Sequence, residues 1–252
     1  MAIRKLFTTS IVLTLSLFCG IAAAGEVSVA VAANFTDAAR QIAQRFQETT
    51  GHSAKISYGS TGKLYAQIQN GAPFEVFLAA DTRRPGMTEE GGLAVPGSGF
   101  IYARGKLALW SAQEGLFVDG AAYLKRGAFD HLAIANPDTA PYGLAARQVV
   151  EHLGLLPGLK PKLVQGDSIA QTFQFVATGN SEVGFVAFSQ VKAWKGEPGS
   201  TWEVPTAYYA PIEQAVVLLK TGADNPAARA FLDFLKSDAA REIITAYGYG
   251  TQ

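Results

Sequence analysis

Short β-rich runs alternate along the chain with segments that have helical spacing of apolar residues. Residues 27–32 form the first β-rich run. Apolar residues then recur at the spacing of one helix face, at Ala38, Ile42, Ala43 and Phe46. The same order is repeated at 54–58, where the segment 59–62 leads into a helical pattern that stops at Asn70-Gly71.

The alternation continues to the end of the chain. Further strands are predicted at 74–80, 106–111, 132–135, 163–165, 183–188 and 213–219. Helices are predicted at 142–153, from about 168, and at 227–235 and 239–246. Alternating strands and helices are typical of an α/β fold, here with mostly parallel sheets.

The first residues have the pattern of an export signal. Arg4 and Lys5 precede the apolar run 11–18, and small residues follow at 22–24. We therefore expect residues 1–24 to be a signal peptide, cleaved near Ala24, and the protein to be periplasmic. Phe18 before the single cysteine, Cys19, disfavours a lipid attachment site.

Charge and histidine placement limit the partners. The expected leader contains two basic and no acidic residues, so 19 of the 21 Lys and Arg remain against 21 Asp and Glu. This balance gives no electrostatic footprint for nucleic acid. His52, His131 and His152 have no metal-ligand spacing, so no metal site of the protein's own is predicted.

Four strand-to-helix junctions carry polar or small residues. They lie at Asn34, Ser60-Thr61, Tyr142-Gly143 and Ser168-Ile169. The first N–H groups of a helix have no intrahelical partner and lie at the positive end of its dipole, so such junctions attract anions. Each junction alone is also explained by ordinary helix capping. The repetition, with all four expected at the carboxyl edges of strands, favours one shared anion site.

Several sequence blocks resemble the periplasmic molybdate-binding proteins of ABC importers, the ModA-type family. The blocks are 29–38, 59–64, 71–81, 135–145, 182–187 and the terminal Tyr247-Gly248-Tyr249. Gly-Ala-Pro and Ala-Asp in the third block, and Asn-Pro and Ala-Pro-Tyr-Gly in the fourth, are the most specific. The resemblance covers nearly the whole chain after the leader.

The resemblance implies a two-lobed periplasmic binding protein of type II with two interlobe crossings. Lobe I would comprise 25–104 and 209–252, and lobe II 105–208. Hinges would lie near 103–106 and 206–211, so that the lobes close on the ligand. The implied partners are a small oxyanion and the membrane permease of the importer, with the chain itself a monomer and not an enzyme.

The resemblance also implies a ligand set. Asn34 would serve the first loop, Thr61 with Ser60 beside it the second, Tyr142 the third, and the backbone N–H of Ile169 the fourth. Asn34 stands where many members have Ser, a variation in which a neighbour such as Ala33 or Phe35 helps. Ala187 stands where some members place a ligand-contacting Tyr, and Tyr142 is expected to replace that contact.

The implied ligand is molybdate or tungstate, which sequence does not separate. Molybdenum is then the only metal, bound as molybdate by the same residues, and no cofactor is expected. Uncharged donors disfavour an anion that keeps a proton at neutral pH, such as phosphate, because it needs an acceptor. A receptor for another oxyanion, such as sulfate, remains the alternative within the same fold.

An enzyme alternative rests on two short motifs. Ser60-Thr-Gly-Lys63 and Lys220-Thr-Gly match the S-x-x-K and K-T-G elements of penicillin-recognising serine enzymes. No Ser-Asp-Asn or Tyr-x-Asn element lies between them. The hypothesis requires Ser60, Lys63 and Lys220 to meet in one site.

Overall fold

The computed structural model describes residues 24–251, so the expected leader lies outside the described residues except for Ala24. The chain forms two five-stranded sheets. The strands are β1 (Glu26–Ala32), β2 (Ser53–Gly59), β3 (Val76–Leu78), β4 (Phe100–Gly105), β5 (Leu107–Ser111), β6 (Leu132–Ala135), β7 (Leu163–Gly166), β8 (Val183–Ala187), β9 (Ser200–Glu203) and β10 (Ile212–Leu218).

Ten α-helices accompany the strands in the described part of the chain. They are α1 (Thr36–Thr50), α2 (Thr61–Gln69), α3 (Arg83–Glu90), α4 (Gly120–Arg126), α5 (Pro141–His152), α6 (Leu156–Leu159), α7 (Ile169–Ala177), α8 (Phe188–Ala193), α9 (Pro226–Leu235) and α10 (Asp238–Ala246). Short 3-10 turns include Ala33–Phe35 before α1 and Lys220–Gly222 after β10. The elements β4, α3, α4, α6, α8 and β9 were not predicted from the sequence.

The first sheet has the strand order β2-β1-β3-β10-β4, and the second β7-β6-β8-β5-β9. We name the first sheet with its helices lobe I and the second with its helices lobe II. The strands of lobe I come from 26–105 and 212–218, and those of lobe II from 107–203. The exact lobe boundaries stay a prediction. The two-lobed α/β architecture with two crossings is confirmed.

The sheets are mostly parallel in strand direction but mixed, because four of the five strands in each sheet run one way and the fifth runs the opposite way. Four of the eight strand pairings are parallel, and the other four are antiparallel. Every antiparallel pairing involves β10 or β5. Each of these strands begins directly after the chain has crossed from the other lobe. It therefore enters its sheet in the direction opposite to the strands that are joined by helices.

Both sheets are covered by apolar side chains on each face. In β1 the residues Val27, Val29 and Val31 face a core shared with α1, α9 and α10, while Ala30 faces the core under α2. In β5 the residue Trp110 packs on Phe173 of α7, with ring centroids 4.7 Å apart. This period-two alternation allows helices to pack on both faces of each sheet.

The crossings lie side by side behind the cleft. Between β4 and β5 only Lys106 separates the two sheets, and the return path runs from β9 to β10. The C-terminal segment also contacts this region, because Gly250 and Arg104 exchange backbone hydrogen bonds of 2.7 and 2.9 Å. The predicted hinge segments 103–106 and 206–211 fall within these crossings, and hinge motion stays a prediction.

Candidate functional site

One cavity between the lobes collects all six residues that were predicted for the oxyanion site. It lies at the carboxyl ends of β1 and β2 in lobe I and at the first turns of α5 and α7 in lobe II. Its lining consists of Ala32, Ala33, Asn34, Gly59, Ser60, Thr61, Ala80, Ala140, Pro141, Tyr142 and Ile169. None of these lining residues, all within the described chain, carries a formal charge.

Two hydroxyl groups of lobe I stand at the start of α2. Ser60 is the residue before the helix and is 4% exposed. Within residues 24–251 its hydroxyl finds no hydrogen-bond partner. A buried hydroxyl without a partner costs about 1–3 kcal/mol, which a ligand oxygen accepting its proton would offset. The Thr61 hydroxyl accepts from the Ala80 N–H at 3.0 Å, so its own proton remains available for donation.

The side-chain amide of Asn34 is hydrogen-bonded within the protein. Its amide nitrogen donates to Gln214 Oε1 at 2.8 Å and to the Tyr249 hydroxyl at 3.0 Å. Both amide hydrogens are thereby committed to the protein. The donor that Asn34 and Ala33 can direct at a ligand is the backbone N–H, because the first N–H groups of the turn Ala33–Phe35 have no intrahelical partner.

Tyr142 lies in the first turn of α5 and is buried. Its hydroxyl accepts from Gln214 Nε2 at 3.2 Å. Burial, reinforced by neighbouring tyrosines, holds the pKa of Tyr142 well above its usual range. The phenol therefore keeps its proton at neutral pH and remains a hydrogen-bond donor.

Ile169 is the first residue of α7, where a backbone N–H lacks an intrahelical partner. The preceding Ser168 accepts from the Gln171 N–H at 3.3 Å and so caps the helix. Gln190 braces the same turn, because its amide nitrogen donates to the Ile169 carbonyl at 3.1 Å. Its Oε1 accepts from the Ala187 N–H at 3.0 Å. Ala187 itself is absent from the cavity lining within the described chain.

Hydrogen bonds and one ion pair join the lobes around the cavity. The Gly62 N–H donates to the Thr139 carbonyl at 2.8 Å, and Arg84 Nη2 donates to the Asp138 carbonyl at 2.7 Å. Lys63 Nζ lies 2.8 Å from Asp167 Oδ2. On the hinge side, the Ser189 hydroxyl donates to the Asn34 carbonyl at 3.0 Å. The structure is thus a closed form, in which the cavity is covered from both flanks.

Sequence reasoning missed a buried polar network behind the cavity. It comprises Gln214, Tyr102, Tyr249 and Ser189, all buried, together with Asn34 and Tyr142. Two signals pointed there. Gln214 is an amide directly before the apolar run 215–219, and Tyr249 belongs to the terminal Tyr-Gly-Tyr block.

The structure does not bring together the three residues of the enzyme hypothesis. Ser60 lies at the carboxyl edge of the first sheet. Lys220 follows β10, whose end pairs with the beginning of β3, so it lies at the opposite edge. Lys63 pairs with Asp167 on the surface. The penicillin-type arrangement is therefore wrong.

Within residues 24–251, no group of three or more His, Cys, Asp and Glu side chains is arranged to hold a metal ion. Across the same residues, no helix combines the length and the apolar character needed to traverse a bilayer.

Comparisons with known proteins agree with the geometry. A sequence model of the bacterial extracellular solute-binding proteins matches residues 27–250. The fold, the interlobe cavity and this match together define a solute-binding protein. The chain is 58% identical to the molybdate-binding protein ModA of Azotobacter vinelandii over 92% of each chain. It is 55% identical to ModA of Rhodobacter capsulatus, over 92% of this chain and 90% of that protein.

A solved structure extends the similarity to three dimensions. The periplasmic molybdate-binding protein of Azotobacter vinelandii superposes with a TM-score of 0.86 at 43% identity, covering 90% of this chain and 99% of that one. The chain therefore belongs to the family of molybdate-binding proteins, as the sequence blocks predicted.

Proposed function

We propose that this chain captures molybdate in the cavity between its lobes and presents it to the permease of an ABC importer. Tungstate, which is nearly the same size, would bind in the same way. The observation that carries the proposal is the lining of the cavity: it is uncharged, it is formed by the first turns of helices from both lobes, and it contains the unpartnered hydroxyl of Ser60.

The chemistry of the lining suits a doubly charged anion without protons. A dianion that leaves water must regain its hydration from hydrogen bonds, each contributing about 1.5–3 kcal/mol to a charged partner. Hydroxyl donors come from Ser60, Thr61 and Tyr142. Backbone N–H donors at Ala33, Asn34 and Ile169 add the positive ends of their helices or turns. No counter-charge is needed because several neutral donors converge.

The biological setting follows from the family. We place the protein in the periplasm as a monomer, released from its leader near Ala24, with the importer's permease as its partner. It performs no catalysis in this proposal, and molybdate is cargo instead of a cofactor. Closure of the lobes would mark the loaded state for the permease.

Calorimetric titration of the chain from residue 25 onward with molybdate, tungstate, sulfate and phosphate tests the proposal. We expect molybdate and tungstate to bind with a 1:1 ratio and at least about a hundredfold more tightly than sulfate, which corresponds to about 2.7 kcal/mol. Phosphate should also bind at least about a hundredfold more weakly than molybdate. Equal affinity for sulfate and molybdate would mean that the protein is a receptor for several oxyanions and is not specific for molybdate. The absence of binding to all four anions would overturn the proposal.

A further inference from the structure

Gln214 contacts one candidate ligand residue from each lobe. It lies in β10, is 0% exposed, and has three side-chain hydrogen-bond partners. Its Oε1 accepts from Asn34 Nδ2 at 2.8 Å, and it lies 3.0 Å from the Tyr102 hydroxyl, whose single proton can also be donated to the Ala79 carbonyl at 3.1 Å. Its Nε2 donates to the Tyr142 hydroxyl of lobe II at 3.2 Å. A buried amide with this many partners has its orientation set by them.

The donors and acceptors in these hydrogen bonds can be assigned by starting from the Asn34 backbone carbonyl, which can only accept. The backbone carbonyl of Asn34 accepts from the Tyr249 hydroxyl at 2.7 Å. The one proton of Tyr249 is directed at this carbonyl or at Ser189 Oγ, 2.9 Å away, so the Tyr249 oxygen is left as the acceptor for Asn34 Nδ2. The amide nitrogen of Asn34 therefore also faces Gln214, which must present its carbonyl oxygen there and its NH₂ group toward Tyr142.

This series of hydrogen bonds ends at the hydroxyl of Tyr142. A phenol has one proton, and the N–H of Gln214 already points at its oxygen. The Tyr142 proton cannot be directed back at Gln214, and Tyr142 lines the cavity. Gly105 leaves room for this pair of side chains, because a Cβ at that position would lie 2.7 Å from Gln214 Nε2 and would overlap the Tyr142 hydroxyl.

We propose that Gln214 is a positioning residue that orients the Tyr142 hydroxyl as a donor toward the bound anion. This inference rests on the proposed function. It adds a source of specificity, since a hydroxyl held as a donor cannot turn to accept the proton of an anion such as hydrogen phosphate. Because Gln214 belongs to lobe I and Tyr142 to lobe II, the orientation exists only when the lobes are closed.

A double-mutant cycle separates orientation from simple structural support. Gln214→Met, Tyr142→Phe and the double variant are titrated with molybdate and with phosphate, with Ser200→Ala as the control. Ser200 is a buried polar residue of β9 that bonds the Leu116 N–H and the Gln113 carbonyl, remote from the cavity lining. Tyr142→Phe should weaken molybdate binding about tenfold or more, and Gln214→Met about three- to tenfold.

The cycle has two further expected results. In the Tyr142→Phe background, Gln214→Met should change the molybdate dissociation constant by less than about twofold, since the hydroxyl it orients is gone. The dissociation constant for phosphate divided by that for molybdate should decrease in Gln214→Met and stay unchanged in Ser200→Ala. Should Gln214→Met fail to fold, Tyr249→Phe removes the hydroxyl at the other end of this series of hydrogen bonds. It should lower the same ratio of dissociation constants.

Three outcomes have distinct meanings. If Tyr142→Phe weakens binding and Gln214→Met has no effect in the wild-type background, the orientation hypothesis is overturned while the proposed function stands. If Gln214→Met weakens binding equally in both backgrounds, its role is structural support and the hypothesis is again overturned. If the wild-type chain does not bind molybdate, it is the proposed function that fails.

Discussion

Gly62 and Thr139 join the two lobes through a direct backbone hydrogen bond, in which the Gly62 N–H donates to the Thr139 carbonyl at 2.8 Å. The approach is close enough that a Cβ on Gly62 would lie 3.0 Å from Thr139 Cα and 3.2 Å from Arg84 Nη2. Gly62 is in the first turn of α2, directly after Thr61. The contact therefore sets how near the two halves of the candidate site can come.

A larger residue at position 62 should hinder closure without harming lobe I. We expect Gly62→Val to weaken molybdate binding about tenfold or more, because its side chain would separate the lobes at the rim of the cavity. Gly86→Val is the matched control, since a Cβ there, also in a helix of lobe I, meets nothing within 4 Å. Calorimetry and thermal unfolding of the ligand-free proteins measure both effects. Equal affinities for the two variants would contradict the prediction.

Removing the Ser60 hydroxyl should weaken molybdate binding without lowering the stability of the ligand-free protein. Its buried hydroxyl lacks a partner in the described structure, so Ser60→Ala should leave the free energy of unfolding unchanged or raise it by up to about 1 kcal/mol. The same change should weaken molybdate binding by about 1.5–3 kcal/mol. Denaturant unfolding of the ligand-free chain and calorimetry give the two quantities.

Ser181 provides the contrasting control. It is also a buried serine, but its hydroxyl lies within hydrogen-bond reach of the His131 and Val183 carbonyls. Ser181→Ala should therefore lower stability by about 1 kcal/mol and leave molybdate affinity unchanged. If Ser60→Ala instead behaved like Ser181→Ala in both measurements, the Ser60 hydroxyl would have no part in binding.

Local pattern predicted the parts of the site that depend on neighbours in sequence. The valines of β1 at period two and the residues before α2 and α7 determine a strand that leads into a helix start. Because such starts lie at the carboxyl edge of a sheet, the sequence alone predicts that Asn34, Ser60 and Ile169 share one site.

The remaining features depend on pairs of residues far apart in the chain. Gln214 and Asn34 are separated by 180 positions, and no local spacing indicates that their amides meet. The commitment of the Asn34 amide to Gln214 and Tyr249 likewise depends on how β1, β10 and the C-terminal segment pack. The antiparallel direction of β10 arises from the interlobe crossing, which element order alone does not reveal.

The buried tyrosines should make the fold sensitive to alkali. Burial raises the pKa of Tyr102 and of Tyr142 well above 10, and raises that of Tyr249 as well. In the unfolded chain these groups lose their protons near pH 10, so above that pH the unfolded state binds fewer protons than the folded state. Stability is therefore fully present below about pH 10 and falls as the pH rises further.

Tyr102→Phe should make this decline shallower, because it removes one of the protons that only the folded state retains above pH 10. Denaturant unfolding of the wild type and the variant at a series of pH values between about 9 and 11.5 gives the two slopes. The variant should be less stable than the wild type at neutral pH, through loss of the Tyr102 hydrogen bond to the Ala79 carbonyl or Gln214. Identical slopes would contradict the assignment of alkaline sensitivity to these tyrosines.

Lys63 and Asp167 form an ion pair across the rim of the cavity, with side chains 49% and 72% exposed. An exposed pair of this kind contributes little to stability. Its greater influence is on the anion: Asp167 directly precedes Ser168 and Ile169, so without Lys63 its carboxylate would repel a dianion at the start of α7. In the open form, the Lys63 ammonium would be available to attract the anion to the start of α2.

Removing only the cation should therefore slow association. We expect Lys63→Met to reduce the molybdate association rate constant several-fold at about 20 mM salt, and the difference to shrink at about 500 mM, where charges are screened within a few ångströms. Asp167→Asn should equal or exceed the wild-type rate, and the double variant should lie near the wild type. Lys55→Met, a change on β2 outside the cavity lining, is the control. Stopped-flow fluorescence measures these rates, and a Lys63→Met effect that is independent of salt would rule out the electrostatic role.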